Sequence, residues 1–220
     1  MVNRPIILAS SSPRRQYLMK ATGLPFIVEK PDVDEVFPDS LPVDQVARYL
    51  ASLKADYFRP RMRDEIVITA DTVVILDNRI LNKPVDREDA IRMLSQLSGR
   101  THKVMTGVSI ACREKEESFD ETTYVTFEEL SQRQIERYVD NFQPFDKAGA
   151  YGAQDTLGSG VNPCSGEEMD FLKRIGKLSL ADESQPATDD RVVIIKKING
   201  SYFNVMGLPI HKVYAHLVNV

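Results

Sequence analysis

The run Ile66-Val67-Ile68-Thr69-Ala70-Asp71-Thr72-Val73-Val74-Ile75-Leu76 is the most apolar segment of the chain, and a carboxylate stands at its middle. A continuous apolar run of this kind reads as a buried strand. Burying an ionised Asp without a partner is very costly. Asp71 must therefore sit at a strand end, be paired, or bind a metal. In open α/β sheets the strand ends are where ligands bind, which makes Asp71 a candidate functional residue. Asp77-Asn78-Arg79 then turns the chain, Ile80-Leu81 pairs back, and Lys83-Pro84 follows.

A second constrained stretch opens the chain. Ile6-Ile7-Leu8 is long enough for one buried strand, and Ser10-Ser11-Ser12 leads into Pro13, with Ser12 at the N-cap and Pro13 at the first helical position. Arg14 and Arg15 fall in the first turn of that helix, where the macrodipole favours acidic side chains. Either an anion sits at this helix start or the pair is a plain surface feature. The helix runs to about Thr22 with Gly23 as its stop, and Phe26-Ile27-Val28 reads as a second strand. Asp32, Asp34 and Glu35 then place three carboxylates in one loop, a spacing compatible with a divalent cation or with simple solvation.

Ser40 to about Phe58 reads as an amphipathic helix, with Lys54 on or beside its apolar stripe, either snorkelling outward or reaching into a pocket. Asp86 caps a helix that ends at Ser98-Gly99. Val104–Cys112 reads as one or two strands, with Gly107 a candidate bulge, and Thr122–Phe127 as the return strand. Ser131-Gln132-Arg133-Gln134 is a capping box. The loop from Pro144 to Gln154 carries glycines that let backbone approach a ligand. From Asp155 to about Asp190 the pattern weakens around a short helix near Met169–Ile175, and Ser179–Asp190 reads as an exposed loop. Val192–Ile198, Asn199-Gly200 and Ser201–Phe203 carry a hairpin signal, and a last helix bears Ile210, Val213, Tyr214 and Leu217.

With 220 residues, 42% hydrophobic and 27% charged, the composition is that of an ordinary globular protein with a real core. The net charge of −4 and the lack of a basic block exclude a nucleic-acid coat, though not a mononucleotide ligand. The two cysteines, Cys112 and Cys164, form no CxxC, and a reducing cytoplasm is the expected setting. Neither a signal-peptide core nor a bilayer-spanning run is expected. There is no GxxxxGK[ST] and no G-x-S-x-G, which excludes a P-loop NTPase and a serine hydrolase elbow.

Taken together, five ordered motifs resemble the Maf family over almost the whole chain. They are Leu8-Ala9-Ser10-Ser11-Ser12-Pro13-Arg14-Arg15, Ala70-Asp71-Thr72-Val73-Val74, Leu97-Ser98-Gly99-Arg100-Thr101-His102, Phe145-Asp146-Lys147-Ala148-Gly149-Ala150-Tyr151-Gly152 and Asn204-Val205-Met206-Gly207-Leu208-Pro209. The resemblance implies an α/β fold related to the inosine triphosphatases (Maf/Ham1). That fold has an elongated mixed sheet with flanking helices and two lobes around a cleft. It implies one Maf-like domain over residues 1–220, usually a homodimer. The segment from about Asp155 to Asp190 departs from the family by being longer; next to Gln154 it either reshapes the base pocket, forms a lid, or is a neutral surface insertion, and the last is the preferred reading. The resemblance also implies a nucleoside triphosphate pyrophosphatase that uses a divalent cation, Mg²⁺ or Mn²⁺.

By the same resemblance Ser10, Arg14 and Arg15 match the phosphate motif, and Glu35 an acidic, metal-binding position. Lys54 and Lys83 match lysines lining the cleft, and Asp71 the proton acceptor. Arg14, Thr72 and Gln154 match positions of the pyrimidine branch, which acts on dTTP and UTP. Asn82 departs from the usual Gly before Lys-Pro. The chemistry agrees: a Gln amide offers the donor and acceptor that a uracil or thymine edge needs, whereas a carboxylate would suit guanine. Consecutive residues lie ~100° apart on a helix, so Arg14 and Arg15 need not share one task. The competing readings are a Maf enzyme for 7-methyl-GTP and a non-catalytic nucleotide-binding regulator of septum formation.

Overall fold

The computed structural model describes residues 4–158, 161–181 and 192–218. In chain order the elements are β1 (Ile6–Leu8), α1 (Pro13–Ala21), β2 (Ile27–Val28), α2 (Val46–Phe58), β3 (Ile66–Leu76), β4 (Arg79–Leu81), α3 (Arg87–Leu97), β5 (Thr101–Ala111), β6 (Glu116–Phe127), α4 (Gln132–Phe142), α5 (Ala153–Thr156), α6 (Gly166–Ile175), β7 (Ile195–Asn199), α7 (Tyr202–Val205) and α8 (Ile210–Leu217). The strand order is β2-β1-β3-β5-β6-β7, with β4 paired to β3. β1 runs parallel to β2 and to β3, whereas β4 runs antiparallel to β3 and β7 to β6. Parallel and antiparallel pairs in one sheet, with helices between the strands, make this the mixed α/β fold that was expected. The chain divides into two compact units, one of Met1–Thr72, Met105–Glu121 and Phe203–Val220, the other of Val73–Val104 and Thr122–Tyr202.

In the first unit, α2 lies close on the sheet because its buried ridge is made of small residues. Ala47, Ala51 and Ala55 recur every fourth position and are all buried. The Thr69 hydroxyl donates to the Ala51 carbonyl at 2.6 Å. Gly107 is explained by the same contact: a Cβ there would overlap the main chain of Ala47 and Arg48. Close backbone approach is thus a reason for glycine at this point of β5. Phe58, Met62, Val67, Ile7, Ala9 and Ala111 close one apolar cluster. α2 begins at Val46 rather than near Ser40. Pro38 and Pro42 hold the preceding residues in turns, their carbonyls accepting from the N–H groups of Leu41 and Gln45 at 2.9 Å each.

In the second unit, the β3–β4 turn has positive φ at both central residues, Asp77 (49°) and Asn78 (59°), the backbone of a type I′ hairpin. Asp86 caps α3 by accepting the Asp89 N–H at 2.8 Å, and Ser131 and Gln134 form the expected capping box on α4. His102, Phe127 and Tyr151 meet edge to face, with centroids 4.8 to 5.4 Å apart. His102 Nε2 lies 2.7 Å from the Tyr151 hydroxyl, and burial pushes the imidazole down from its ordinary 6.5 to about 3.

Two expectations fail in this unit. The hairpin stops at β7, because residues Tyr202–Val205 are helical. The buried Glu168 carboxylate decides this: it accepts the Ser201 hydroxyl at 2.6 Å and the Tyr202 N–H at 3.1 Å, occupying the donors at the head of α7. The segment taken as a neutral surface insertion is also partly core. α6 starts at Gly166 with a capping box of Ser165 and Glu168, and it buries Glu168, Phe171 and Leu172. Part of the loop expected over Ser179–Asp190 lies outside the described residues, while Leu178–Ala181 forms a 3₁₀ turn.

Candidate active site

Asp71 stands inside β3 rather than at its end, is 8% exposed, and is paired. Side chains alternate along a strand, and Thr69 and Asp71 share the face turned to α2. There Lys54, itself 6% exposed, donates from Nζ to Asp71 Oδ1 at 2.5 Å. The same Nζ lies 2.8 Å from Glu35 Oε1, whose side chain is half exposed. Lys54 therefore does not snorkel. Its place on the apolar stripe is explained by two carboxylates that converge on one ammonium.

This trio carries one net negative charge when all three groups are ionised. Such a set suits a further cation, since hard divalent ions take carboxylate oxygens and complete their shell with water and substrate phosphate. Glu35 and Asp71 are the side chains that would hold it. Among the described residues no group of three His, Cys, Asp or Glu side chains gathers as a metal cage, so the phosphates of a ligand would have to supply part of the shell. Of the two readings of Asp32, Asp34 and Glu35, simple solvation fits Asp32 and Asp34, which are exposed, while Glu35 meets Lys54.

The opposite face of β3 carries a second network. Arg15, in the first turn of α1, donates from Nε to the Gly207 carbonyl at 2.8 Å and from Nη1 to the Ala70 carbonyl at 2.7 Å. Its Nη2 reaches Thr72 Oγ1 at 3.0 Å, and Nη1 lies 3.5 Å from Ser10 Oγ. Desolvation lowers the pKa of this guanidinium, partly offset by the charge of Asp71. Thr72 Oγ1 is also 2.8 Å from Thr106 Oγ1, which donates to the Asn204 carbonyl at 3.3 Å. Ser12 occupies the N-cap position of α1 without a side-chain cap bond. Ser10 Oγ accepts the Ser12 N–H at 3.2 Å, so the buried Ser10 is the residue that shapes this loop. Arg14 is half-buried on another face of α1.

Lys83 and Gln154 belong to the second unit. Lys83 is exposed between β4 and the buried Pro84. The Asn82 carbonyl accepts the Gly149 N–H at 3.1 Å, and Asn82 does not join the positive-φ residues of this chain, so asparagine fits the position without strain. Gln154 is half-buried in α5, which is tied down at both ends. The Gly152 N–H donates to the Tyr138 hydroxyl at 3.0 Å, and the Thr156 hydroxyl to the Gly152 carbonyl at 2.7 Å. A Cβ on Gly152 would meet the Asp155 carboxylate and the Lys147 stem. Sequence reasoning missed Thr106, the Gly207 carbonyl and Glu168. Only Glu168 carried a readable signal, the Ser165-Gly166-Glu167-Glu168 capping pattern.

The family described as Maf-like protein matches residues 5–169. The chain belongs to the Maf family. Among curated relatives of this Maf chain, a dTTP/UTP pyrophosphatase of Bacteroides thetaiotaomicron is 40% identical over 214 residues, covering 96% of this chain and 94% of that protein. A dTTP/UTP pyrophosphatase of Flavobacterium psychrophilum is 39% identical over 218 residues, covering 99% and 95%. The solved structure of the Staphylococcus aureus Ham1 protein aligns with 56% of this chain and 72% of its own at 15% identity, with a TM-score of 0.40. No helix among the described residues is long and apolar enough to cross a membrane.

Proposed function

We propose that this Maf chain hydrolyses dTTP and UTP, and modified pyrimidine triphosphates like them, to the monophosphate and pyrophosphate. The observation that carries the reading is the buried Asp71 paired with Lys54 beside Glu35. A carboxylate in an apolar strand with its own ammonium is a positioned proton acceptor. The names of the relatives at about 40% identity supply the substrate class.

In this reading water adds to phosphorus, the bridging oxygen leaves with pyrophosphate, and Asp71 takes the proton of the attacking water. Lys54 steadies the carboxylate, and Arg14 and Lys83 meet the phosphate charge. Gln154 reads the N3–H and neighbouring carbonyl of the pyrimidine, and the hydroxyl of Thr72, already bonded within the protein, helps shape the space for the base. A divalent cation, Mg²⁺ or Mn²⁺, held by Glu35 and Asp71, would neutralise phosphate charge and lower the pKa of a bound water. The enzyme would work as a homodimer in a reducing cytoplasm, a setting that suits its free Cys112 and Cys164.

The test is pyrophosphate release over a panel of canonical and modified triphosphates, with Mg²⁺ or Mn²⁺ and with EDTA. Release confined to dTTP, UTP and their relatives, abolished in a folded Asp71→Asn protein, is expected. Release from purine nucleotides alone, or undiminished turnover in Asp71→Asn, would sink the reading.

A further inference from the structure

Arg15 sits in the phosphate motif, yet its hydrogen bonds go inward. The reason lies in the sheet. β1 pairs with β3 in parallel through Leu8 and Ile68, and the last ladder bond runs from the Ala9 N–H to the Ile68 carbonyl at 2.8 Å. Alternate carbonyls of a strand face the same neighbour, so the next acceptor on that edge is Ala70. By then β1 has left the sheet: the Ser10 N–H turns back to the Leu8 carbonyl at 2.9 Å. The Ala70 carbonyl would lose its ladder partner at a buried position, which is costly. Arg15 Nη1 supplies the missing donor at 2.7 Å. This also accounts for a basic residue in a first helical turn without calling on an anion.

The consequence falls on Asp71. The Ala70 carbonyl belongs to the peptide that joins Ala70 to Asp71, and Thr72 is the residue after it. Arg15 grips both, at 2.7 and 3.0 Å, while its Nε fixes the Gly207 carbonyl at 2.8 Å. The geometry points to Arg15 as a positioning residue: a guanidinium that replaces the departed strand, clamps β3 on both sides of Asp71 and ties it to the Gly207 turn. Arg14, on its different face of α1, then carries the phosphate task of the motif. Only a planar fork fits the three acceptors, so lysine is not a substitute.

This inference rests on the pyrophosphatase reading, and the experiment separates the two. Arg15→Lys, Arg15→Gln and Arg14→Gln are compared with wild type for kcat and KM on UTP, for inhibition by inorganic pyrophosphate, and for the pH dependence of kcat/KM. Amide hydrogen exchange at Asp71, Thr72 and Leu208 is followed in the same proteins without substrate. Arg15→Lys is expected to lower kcat by about 10²-fold, the scale of a misplaced reacting group, with KM and pyrophosphate inhibition nearly unchanged. It should shift the acidic limb of the pH profile and speed exchange at the three amides. Arg14→Gln should raise KM and weaken pyrophosphate inhibition. If Arg15→Lys instead weakens pyrophosphate inhibition as much as Arg14→Gln and leaves the amides unchanged, Arg15 is a phosphate ligand and the proposal falls. If wild type releases no pyrophosphate from any triphosphate, the enzyme reading fails. The clamp is then still decided by exchange, since unchanged amides in Arg15→Lys overturn it.

Discussion

Lys54 Nζ lies 2.5 Å from Asp71 Oδ1, and both side chains are almost fully withdrawn from solvent. The pair sets an asymmetry between its two single variants. Lys54→Met leaves a carboxylate in an apolar strand without its ammonium, and removing one member of a buried pair costs about 3 kcal/mol or more. Asp71→Asn leaves Lys54 with Glu35, at 2.8 Å, and should cost much less. The double variant, apolar opposite neutral, should recover most of the loss caused by Lys54→Met. Urea denaturation of the four proteins measures the coupling. Additive effects would mean that the pair contributes nothing as a pair. Turnover should be lost in every variant that lacks Asp71.

Stability should fall in mild acid, and His102 gives the sign. Its imidazole is pushed down to about 3 in the folded protein, against an ordinary 6.5. Between those values the unfolded chain binds a proton that the folded chain does not. The free energy of unfolding therefore rises with pH across that window and is lost as pH drops from 6.5 toward 3. The slope from this one group approaches about 1.4 kcal/mol per pH unit at its steepest. His102→Gln, which keeps a partner for the Tyr151 hydroxyl, should flatten the difference between urea midpoints at pH 7 and pH 5. An equal difference in both proteins would assign the acid sensitivity elsewhere.

The Thr72 hydroxyl is used inside the protein, where Arg15 and Thr106 both meet it. Thr72→Val keeps the shape and leaves an Arg15 donor without its acceptor, a loss of about 1–3 kcal/mol. Thr72→Ser keeps the acceptor and should melt within a few degrees of wild type. If the threonine acted through a hydrogen bond to the base, Val would change the choice among triphosphates more than the melting temperature. Thermal melts beside kcat/KM for UTP and for a purine triphosphate distinguish the two roles.

What could be read in the sequence was what local chemistry decides. The Asp77-Asn78 turn, the Asp86 cap and the Ser131 capping box all follow from residues within four positions of one another, and each formed as expected. The dilemma posed by Asp71 was also readable, because one carboxylate in an apolar strand demands a partner. Which partner was not, since Lys54 lies 17 residues away and only the packing of α2 brings it in. The failed hairpin has the same cause: Ser201 and Tyr202 look like strand residues until Glu168, more than thirty positions earlier, takes their donors. Arg15 was matched to the phosphate motif by resemblance, and its internal acceptors, Ala70, Thr72 and Gly207, lie 55 to 192 residues away, where no local pattern points to them.

Gln154 offers the sharpest test of base choice, because one atom changes its hydrogen-bond character. Its amide presents a donor and an acceptor, and Glu at the same length presents two acceptors. A pyrimidine edge with N3–H between carbonyls loses a bond against the carboxylate, while a guanine edge with two donors gains one. α5 is held by the Tyr138 hydroxyl and by the buried Ala153 and Thr156, so the turn should keep its place in Gln154→Glu. A site built to pair with a polar group rejects the mismatched partner by up to about 10⁴-fold. The expected outcome is a fall in kcat/KM of at least about 10²-fold for UTP and dTTP, with a rise for GTP. It is read from pyrophosphate release under identical metal and salt. An unchanged preference for pyrimidines in a folded Gln154→Glu protein would move base recognition away from α5 and leave Gln154 with the anchoring of that turn.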